Sequence, residues 1–139
     1  MKKRANINDV VVETMNEFGE ARIHCRLGEI MENIGVNITE LADLTGIRYV
    51  SIHELVHNKK VTFNMQHLLA IMVALRISDI SDLLQIQFED KEREEEFKKE
   101  SIDVHDKMRG LPDYVVARRK VNKERVLEWK EEYKKSLES

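Results

Sequence analysis

The sequence predicts an all-α protein: a bundle of five short helices followed by a helical C-terminal extension. The first observation is the scarcity of helix breakers, since 139 residues contain only five glycines and one proline, few stops for a chain of many short strands. The second is that apolar residues recur at helical spacing along most of the chain. The third is a composition of 42% apolar and 35% charged residues, which suits a helical core with a hydrated surface.

Residues 1–22 form an N-terminal leader whose structure has two interpretations. Val11, Met15 and Phe18 recur at helical spacing after Asn8, a candidate N-cap, and Gly19 is placed to end the helix. The apolar run over 10–12 would also suit a strand. We favour the helix.

Residues 23–87 are predicted to form the five-helix bundle. Gly35 closes the first helix, and Asn37 begins the second three residues before Glu40, the spacing of a capping box. The third helix runs over about 48–57, and Asn64 and Ser78 are placed to cap the fourth and fifth. The apolar residues of the five helices are, in order, Leu27, Ile30, Met31 and Ile34; Leu41, Ala42 and Leu44; Val50, Ile52, Leu55 and Val56; Leu68, Leu69, Ile71, Met72 and Leu75; and Ile80, Leu83 and Leu84. Helices this short must pack on each other to be stable.

Residues 88–139 are predicted to be a helical extension for dimerisation or for binding a partner. The mixed charges of 89–96 favour a solvated helical connector, and 110–113 is the clearest break. Asn122 is a candidate cap for a last helix. One apolar stripe follows it: Val126, Trp129, Tyr133 and Leu137. The stripe either packs on its own domain or associates with a second copy, and Trp and Tyr are favoured interface anchors.

Composition and charge exclude several classes of protein. The longest apolar runs are too short to span a membrane, and the basic start is followed by Asn6, Asn8 and Asp9 where a signal peptide needs its apolar stretch. The single cysteine, Cys25, excludes a disulfide framework and an all-cysteine zinc site within one chain. We therefore expect a cytoplasmic protein. With no glycine-rich phosphate loop and no nucleophile elbow, we expect no enzyme, no cofactor and no metal.

The segment from Ile38 to Leu55 has the pattern of two helices joined by a very tight turn. Ala42 is small where the following helix must cross, and Gly46, four residues on, lies where the chain needs a positive φ. Inward-facing apolar residues flank the turn. Their joint spacing predicts a helix-turn-helix.

These residues resemble the phage-repressor and Cro-type helix-turn-helix proteins, the xenobiotic-response-element family, over 23–87. The residues that carry the resemblance are Arg26, Leu27, Ile30 and Met31, then Thr39 to Ala42 and Thr45 to Ile47, then Ile52 and Leu55, then Leu68, Ile71, Ala74 and Leu75, and last Asp79 and Asp82 to Leu84. The resemblance implies a lambda-repressor-like bundle of five helices. It also implies a DNA-binding transcription regulator, a repressor that binds a palindromic operator in double-stranded DNA as a homodimer. A regulatory protein is a further partner that it allows.

The resemblance also implies which residues contact DNA. The third helix would enter the major groove, with base-reading side chains Arg48, Tyr49, Val50, Ser51 and Glu54. Arg suits a guanine edge, Val a thymine methyl and Glu a cytosine amino group. The DNA backbone would be held by Asn37, His57, Lys59 and Lys60, with Lys2, Lys3 and Arg4 as further phosphate candidates.

Departures from the family pattern support a second hypothesis, a bundle that binds protein, of the antitoxin or inhibitor type. Ile38 stands where the family commonly has Gln, and Arg48 where Ser or Thr often caps the recognition helix. Residues 56–58 replace the usual Glu-Asn-Gly-like loop entry. Residues 23–87 hold five Lys or Arg against seven Asp or Glu, which is a weak basic footprint.

A third hypothesis is a minimal zinc hydrolase, because residues 53–57 contain the zinc-protease motif H-E-x-x-H. Two histidines one helical turn apart, here His53 and His57, can share a zinc ion, and Glu54 would be the general base. A third protein ligand is needed, and the extended motif spacing meets Lys60 and Phe63 instead. We regard it as the least favoured hypothesis.

Overall fold

The computed structural model describes residues 6–60, 62–101 and 110–138. Within these ranges the chain is mostly helical, which confirms the predicted fold class, and it adds two short strands. The elements are α1 Ile7–Met15, β1 Ala21–Cys25, α2 Leu27–Ile34, α3 Ile38–Thr45, α4 Tyr49–Val56, α5 Met65–Leu75, a 3-10 turn Ile80–Asp82, β2 Leu84–Phe88, α6 Lys91–Glu100 and α7 Asp113–Glu138. In the part described, no helix is both long and apolar enough to cross a membrane.

The chain divides into two compact units: one is Arg22–Gln87, and the other combines Met1–Ala21 with Phe88–Ser139. The first unit holds every buried apolar side chain among the described residues. They are Cys25, Leu27, Met31, Leu41, Ile47, Ile52, Leu55, Leu68, Ile71 and Leu83. In this unit α3 packs on both α4 and α5, and α2 packs on α4.

The predicted corner between α3 and α4 is present, with caps at both ends of α3. The Asn37 side chain accepts a hydrogen bond from the amide of Glu40 (2.8 Å), and the Glu40 carboxylate accepts one from the amide of Asn37 (3.3 Å). Gly46 ends the helix at φ 77° and donates its amide to the carbonyl of Ala42 at 2.8 Å. Asn and Gly therefore have the roles that their spacing predicted.

The predicted fifth helix is wrong. Asp79, not Ser78, caps a single 3-10 turn, since its carboxylate accepts from the amide and hydroxyl of Ser81 (2.9 and 2.7 Å). The chain then enters β2. The amide of Arg26 bonds to the carbonyl of Leu83 and that of Glu89 to Glu20, so β1 and β2 run antiparallel. The sequence of β2 alternates Gln with apolar residues, a period of two that favours a strand once a partner strand is present.

Four residues predicted to lie on apolar faces are exposed: Ile34 (51%), Leu44 (64%), Leu69 (63%) and Ile80 (53%). The buried line of α5 runs through Leu68 and Ile71, and a residue one position further along a helix lies about 100° around it. An eight- to eleven-residue helix buries only a narrow stripe, so an apolar residue beside the stripe stays in solvent.

In the second unit, the leader forms helix α1, as we favoured over a strand. Its capping box uses Asn6 and Asp9 rather than Asn8. The helix ends at Met15 with Asn16 as its C-cap, three residues before Gly19. An edge-to-face aromatic pair, Phe18 with Phe97, has ring centroids 5.4 Å apart.

The last helix, α7, is continuous over Asp113–Glu138, so Asn122 lies inside it and does not cap it. The Asn122 side chain contacts Arg125. Arg125 forms a two-pronged ion pair with Glu13 of α1 at 2.8 and 2.9 Å, and this pair raises the pKa of Arg125. The first half of the predicted connector forms helix α6. Residues 102–109, in its second half, lie outside the described residues.

Candidate nucleic-acid interface

Helix α4 has one side in the core and the other in solvent. Ile52 and Leu55 are buried, whereas Tyr49 and Val50 are 52% and 63% exposed. Arg48, the residue at the N-cap position, has an extended backbone and makes no capping hydrogen bond with its side chain. Its guanidinium is therefore available at the exposed start of the helix. Ser51 is half-buried beside it.

Three ring side chains lie in a row along α4 and its C-cap, a feature that the sequence analysis did not identify. The rings of Tyr49 and His53 are nearly parallel, with centroids 6.2 Å apart. Those of His53 and His57 lie 4.2 Å apart. The i, i+4 spacing of three ring residues is the signal from which this row was predictable.

The end of α4 brings opposite charges together. The Lys60 ammonium lies 3.7 Å from the Glu54 carboxylate, and the Lys59 amide donates to the Glu54 carbonyl at 2.9 Å. Glu54 thus compensates one of the two lysines that were predicted to hold phosphate. Arg48 and the exposed Lys59 carry the positive charge of this surface.

The start of α3 presents free amides to solvent. The capping box uses the amides of Asn37 and Glu40, so the amides of Ile38 and Thr39 are left for an anion at the helix N-terminus. The Glu40 carboxylate lies within the same first turn. It weakens this end of the helix as a phosphate site.

Asn58 is a structural residue of the interface that the sequence analysis did not select. Its backbone is left-handed at φ 55°. Its side chain accepts from the Cys25 amide at 2.7 Å and donates to the Cys25 carbonyl at 3.1 Å. It thereby fixes the end of α4 and the following lysines to β1. Asn tolerates the left-handed region better than other side chains do, so it can occupy the place of the family's usual glycine.

In the zinc-protease motif the two imidazoles are neighbours, but the carboxylate is paired with a lysine. His53 and His57 are close, but Glu54 pairs with Lys60. Among the described residues, no group of three or more His, Cys, Asp or Glu side chains is arranged to hold a metal. The arrangement lacks the third protein ligand that a catalytic zinc needs. The phosphate candidates Lys2, Lys3 and Arg4 lie outside the described residues.

The proposed dimerisation stripe of α7 becomes more exposed along its length. Val126 is half-buried and lines a groove with Val10, Val11, Thr14 and Met15 of α1. Trp129, Tyr133 and Leu137 are 37%, 54% and 69% exposed. The rings of Trp129 and Tyr133 stack with centroids 5.6 Å apart.

Comparison with known families agrees with this geometry. Residues 26–89 match the Cro/C1-type HTH DNA-binding domain. No curated protein and no solved structure matches the chain. The matched segment includes the capped α3, the corner at Gly46 and the exposed α4. Residues 26–89 therefore form a helix-turn-helix DNA-binding segment of the Cro/C1, or xenobiotic-response-element, type, the type of segment that DNA-binding transcription regulators carry.

Proposed function

We propose that this chain is a cytoplasmic repressor that binds a palindromic operator as a dimer, with α4 in the major groove. The observation that carries the proposal is the corner at Gly46. It turns the chain so that α4 buries Ile52 and Leu55 and leaves Arg48, Tyr49 and Val50 in solvent. A short helix exposed on one side after such a turn is the element that reads base edges in this class of domain.

The base-reading roles follow from the chemistry of the exposed residues of α4. Arg48 would donate two hydrogen bonds to a guanine, Val50 would contact a thymine methyl, and Glu54 would accept from a cytosine amino group. Tyr49 and Ser51 would complete the contact. Because Glu54 already compensates Lys60, we expect Glu54 to read a base only if Lys60 moves to a phosphate.

The backbone contacts would come from the start of α3 and from the loop after α4. The free amides beside Asn37 would hold one phosphate, and His57, Lys59 and Lys60 would approach others. The unit Arg22–Gln87 has six Lys or Arg against seven Asp or Glu. Since each neutralised phosphate adds affinity, one copy would bind weakly, and two copies on two half-sites would be needed.

We further propose that different segments of the chain have different functions. Residues 1–22 form the leader, residues 23–87 bind DNA, and residues 88–139 dimerise the chain through Val126, Trp129, Tyr133 and Leu137 or bind a regulatory protein. The aromatic stripe supports the dimer, since Trp and Tyr are common anchors of interfaces.

Selection of bound sequences from a random DNA pool tests the function. We expect a palindrome whose half-sites lie about 34 Å apart or a multiple of that distance. A pool that yields no enriched sequence, at both low and moderate salt, would contradict the proposal.

Arg48 provides a sharper test on the selected operator. Arg48→Ala should weaken operator binding by about 1–3 kcal/mol and relax discrimination at one base pair. Arg48→Lys keeps the charge but loses the planar fork, so it should lose discrimination as well. Arg76→Ala, which removes an exposed cation at the end of α5, is the control and should leave the preferred base unchanged. An equal loss on every DNA sequence would mean that Arg48 contacts phosphate only.

A second candidate function is protein binding by the same bundle, as in an antitoxin or inhibitor. It is favoured by two exposed apolar side chains, Leu44 and Val50, 64% and 63% exposed, and by the weak basic footprint. Mobility-shift assays at two salt concentrations separate the two functions, because DNA binding falls steeply as salt rises. Absence of a shift at the lower salt concentration would favour the protein partner.

A further inference from the structure

Helix α7 carries a line of basic side chains that no acidic neighbour compensates. Arg119, Lys123 and Lys130 are all exposed. They lie within an arc of about 40° around the helix and extend over about 16 Å of its length. Residues three and four positions away are the neighbours of a side chain on a helix surface, and none of these positions around the three is Asp or Glu. We call these three residues the basic ridge.

The other basic side chains of α7 are compensated. Two arginines form ion pairs with glutamates at 2.8 Å: Arg118 with Glu17 and Arg125 with Glu13. Three lysines have a glutamate three or four positions away on the helix: Lys120, Lys134 and Lys135. Every Lys and Arg of α6 also has acidic residues at these distances. Within α6 and α7, the positive charge left for an outside anion is therefore on the basic ridge.

DNA is the anion that the basic ridge fits best. The unit Arg22–Gln87, which contains most of the matched DNA-binding domain, has six Lys or Arg against seven Asp or Glu. Affinity for the DNA backbone comes from the phosphates that a protein neutralises, so this unit supplies little of it. A duplex carries one phosphate charge per about 1.7 Å of its axis, whatever its sequence. A straight line of three cations therefore meets phosphates on any stretch of DNA.

We propose that the basic ridge of α7 is a second DNA-binding surface, which holds the phosphate backbone without regard to sequence. The guanidinium of Arg119 and the ammonium groups of Lys123 and Lys130 each replace a counterion at a phosphate. Sequence recognition stays with α4. The inference goes beyond the proposed function, in which residues 88–139 make no contact with DNA. It rests on that function in one respect, since the chain must meet DNA.

Fluorescence anisotropy of a labelled duplex of random sequence measures this contact in the full chain. The ridge variant is Arg119→Gln, Lys123→Gln, Lys130→Gln, in which glutamine removes the charge and remains a good helix former. It should bind the duplex at least about tenfold more weakly at low salt, and the slope of log K against log salt should become shallower by about 2–3, because each phosphate contact contributes about 0.9.

The matched control variant is Lys91→Gln, Lys99→Gln, Lys135→Gln. It changes the net charge by the same amount at exposed positions of the same unit. Each of its three lysines has acidic residues three or four positions away. Its affinity for the random duplex and its salt slope should stay close to those of the natural chain. Circular dichroism checks that both variants keep their helix content.

Lysine acetylation read by mass spectrometry locates the contact directly. Adding the random duplex should slow the modification of Lys123 and Lys130 in proportion to the fraction of chain that is bound. Lys99 and Lys135 should react at the same rate with and without DNA, and they serve as internal references. Slower modification of all four lysines alike would contradict a contact at the basic ridge.

Vesicles of phosphatidylcholine and phosphatidylserine test the other extended anionic surface that three cations can meet. The natural chain and the ridge variant should bind these vesicles equally. A ridge variant that loses the vesicles but keeps the random duplex overturns the inference, as does a ridge variant that binds the duplex as the control variant does.

The selected operator separates this inference from the proposed function. The ridge variant should lose the same factor on the operator as on random DNA, because phosphate contacts carry no sequence information. If an operator is bound and the ridge variant binds it as well as the natural chain does, the proposed function stands and the inference fails. If the ridge holds random DNA and no operator is found, the inference stands and the proposed function fails.

Discussion

Asn58 connects the end of α4 to β1 through its side chain alone. Its amide group pairs with both the N–H and the C=O of Cys25, as a neighbouring strand would. The left-handed backbone that makes this possible, φ 55°, is unfavourable for most side chains. A residue at this position must therefore tolerate a left-handed backbone, and its side chain must have both a donor and an acceptor. Asparagine meets both requirements.

Replacing Asn58 separates these two requirements. Asn58→Ala should reduce the free energy of unfolding by about 3 kcal/mol, because it leaves two partly buried backbone groups without partners and keeps the strained backbone. Asn58→Gly loses the same bonds without the strain and should be about 1 kcal/mol more stable than the alanine variant. Denaturant unfolding gives both values. Asn33→Ala, on the exposed side of α2, is the control and should be nearly neutral. Equal stability of the two Asn58 variants would show that the backbone strain is negligible.

At the scale of elements, the corner between α3 and α4 was predictable because its determinants are local. Asn37 and Glu40 cap α3 from three residues apart, and Gly46 ends it four residues after Ala42. The pairing of β1 with β2 was not predictable in this way. Arg22 and Gln87, which bond across the pair, are 65 positions apart, and no local pattern reports that distance. The sequence of β2 was therefore attributed to the end of a helix.

Asn122 misled the sequence analysis for a related reason. Asparagine favours helix caps, so it indicated a boundary inside what proves to be one long helix. Its side chain instead contacts Arg125, which is held by Glu13 of α1. The side-chain bond of Asn122 is therefore made within α7, and the helix continues through this position.

Gly46 is required for its backbone and not for space. Its φ is 77°, and an added Cβ would meet no atom within 4 Å. Gly46→Ala should therefore cost about 1 kcal/mol, from the left-handed backbone alone. Gly46→Asn should cost less, because asparagine tolerates this region. Thermal or denaturant unfolding gives the ranking, and a larger cost for asparagine than for alanine would mean that a contact, rather than the backbone, is limiting.

At the scale of the whole molecule, apolar burial is uneven. All ten buried apolar side chains of the described residues lie in Arg22–Gln87. Within the other unit, surface ion pairs connect the elements to each other, such as Arg118 with Glu17 at 2.8 Å. Exposed ion pairs contribute little to stability. The helix-turn-helix unit should therefore be the more stable of the two.

Native-state hydrogen exchange measures this difference along the chain. Amides in α3, α4 and α5 should exchange only through global unfolding, whereas those of α6 and α7 should exchange through smaller openings and at least about tenfold faster. Raising the protein concentration should slow exchange over 126–137 if a second copy covers the stripe, because binding to the folded state alone stabilises it by mass action. The same increase in concentration should not change the exchange rates of α3 amides relative to those of α5, which serve as the internal reference. Uniform protection across both units would contradict this account, since it would require a core in the α1, α6 and α7 unit that its exposed side chains do not provide.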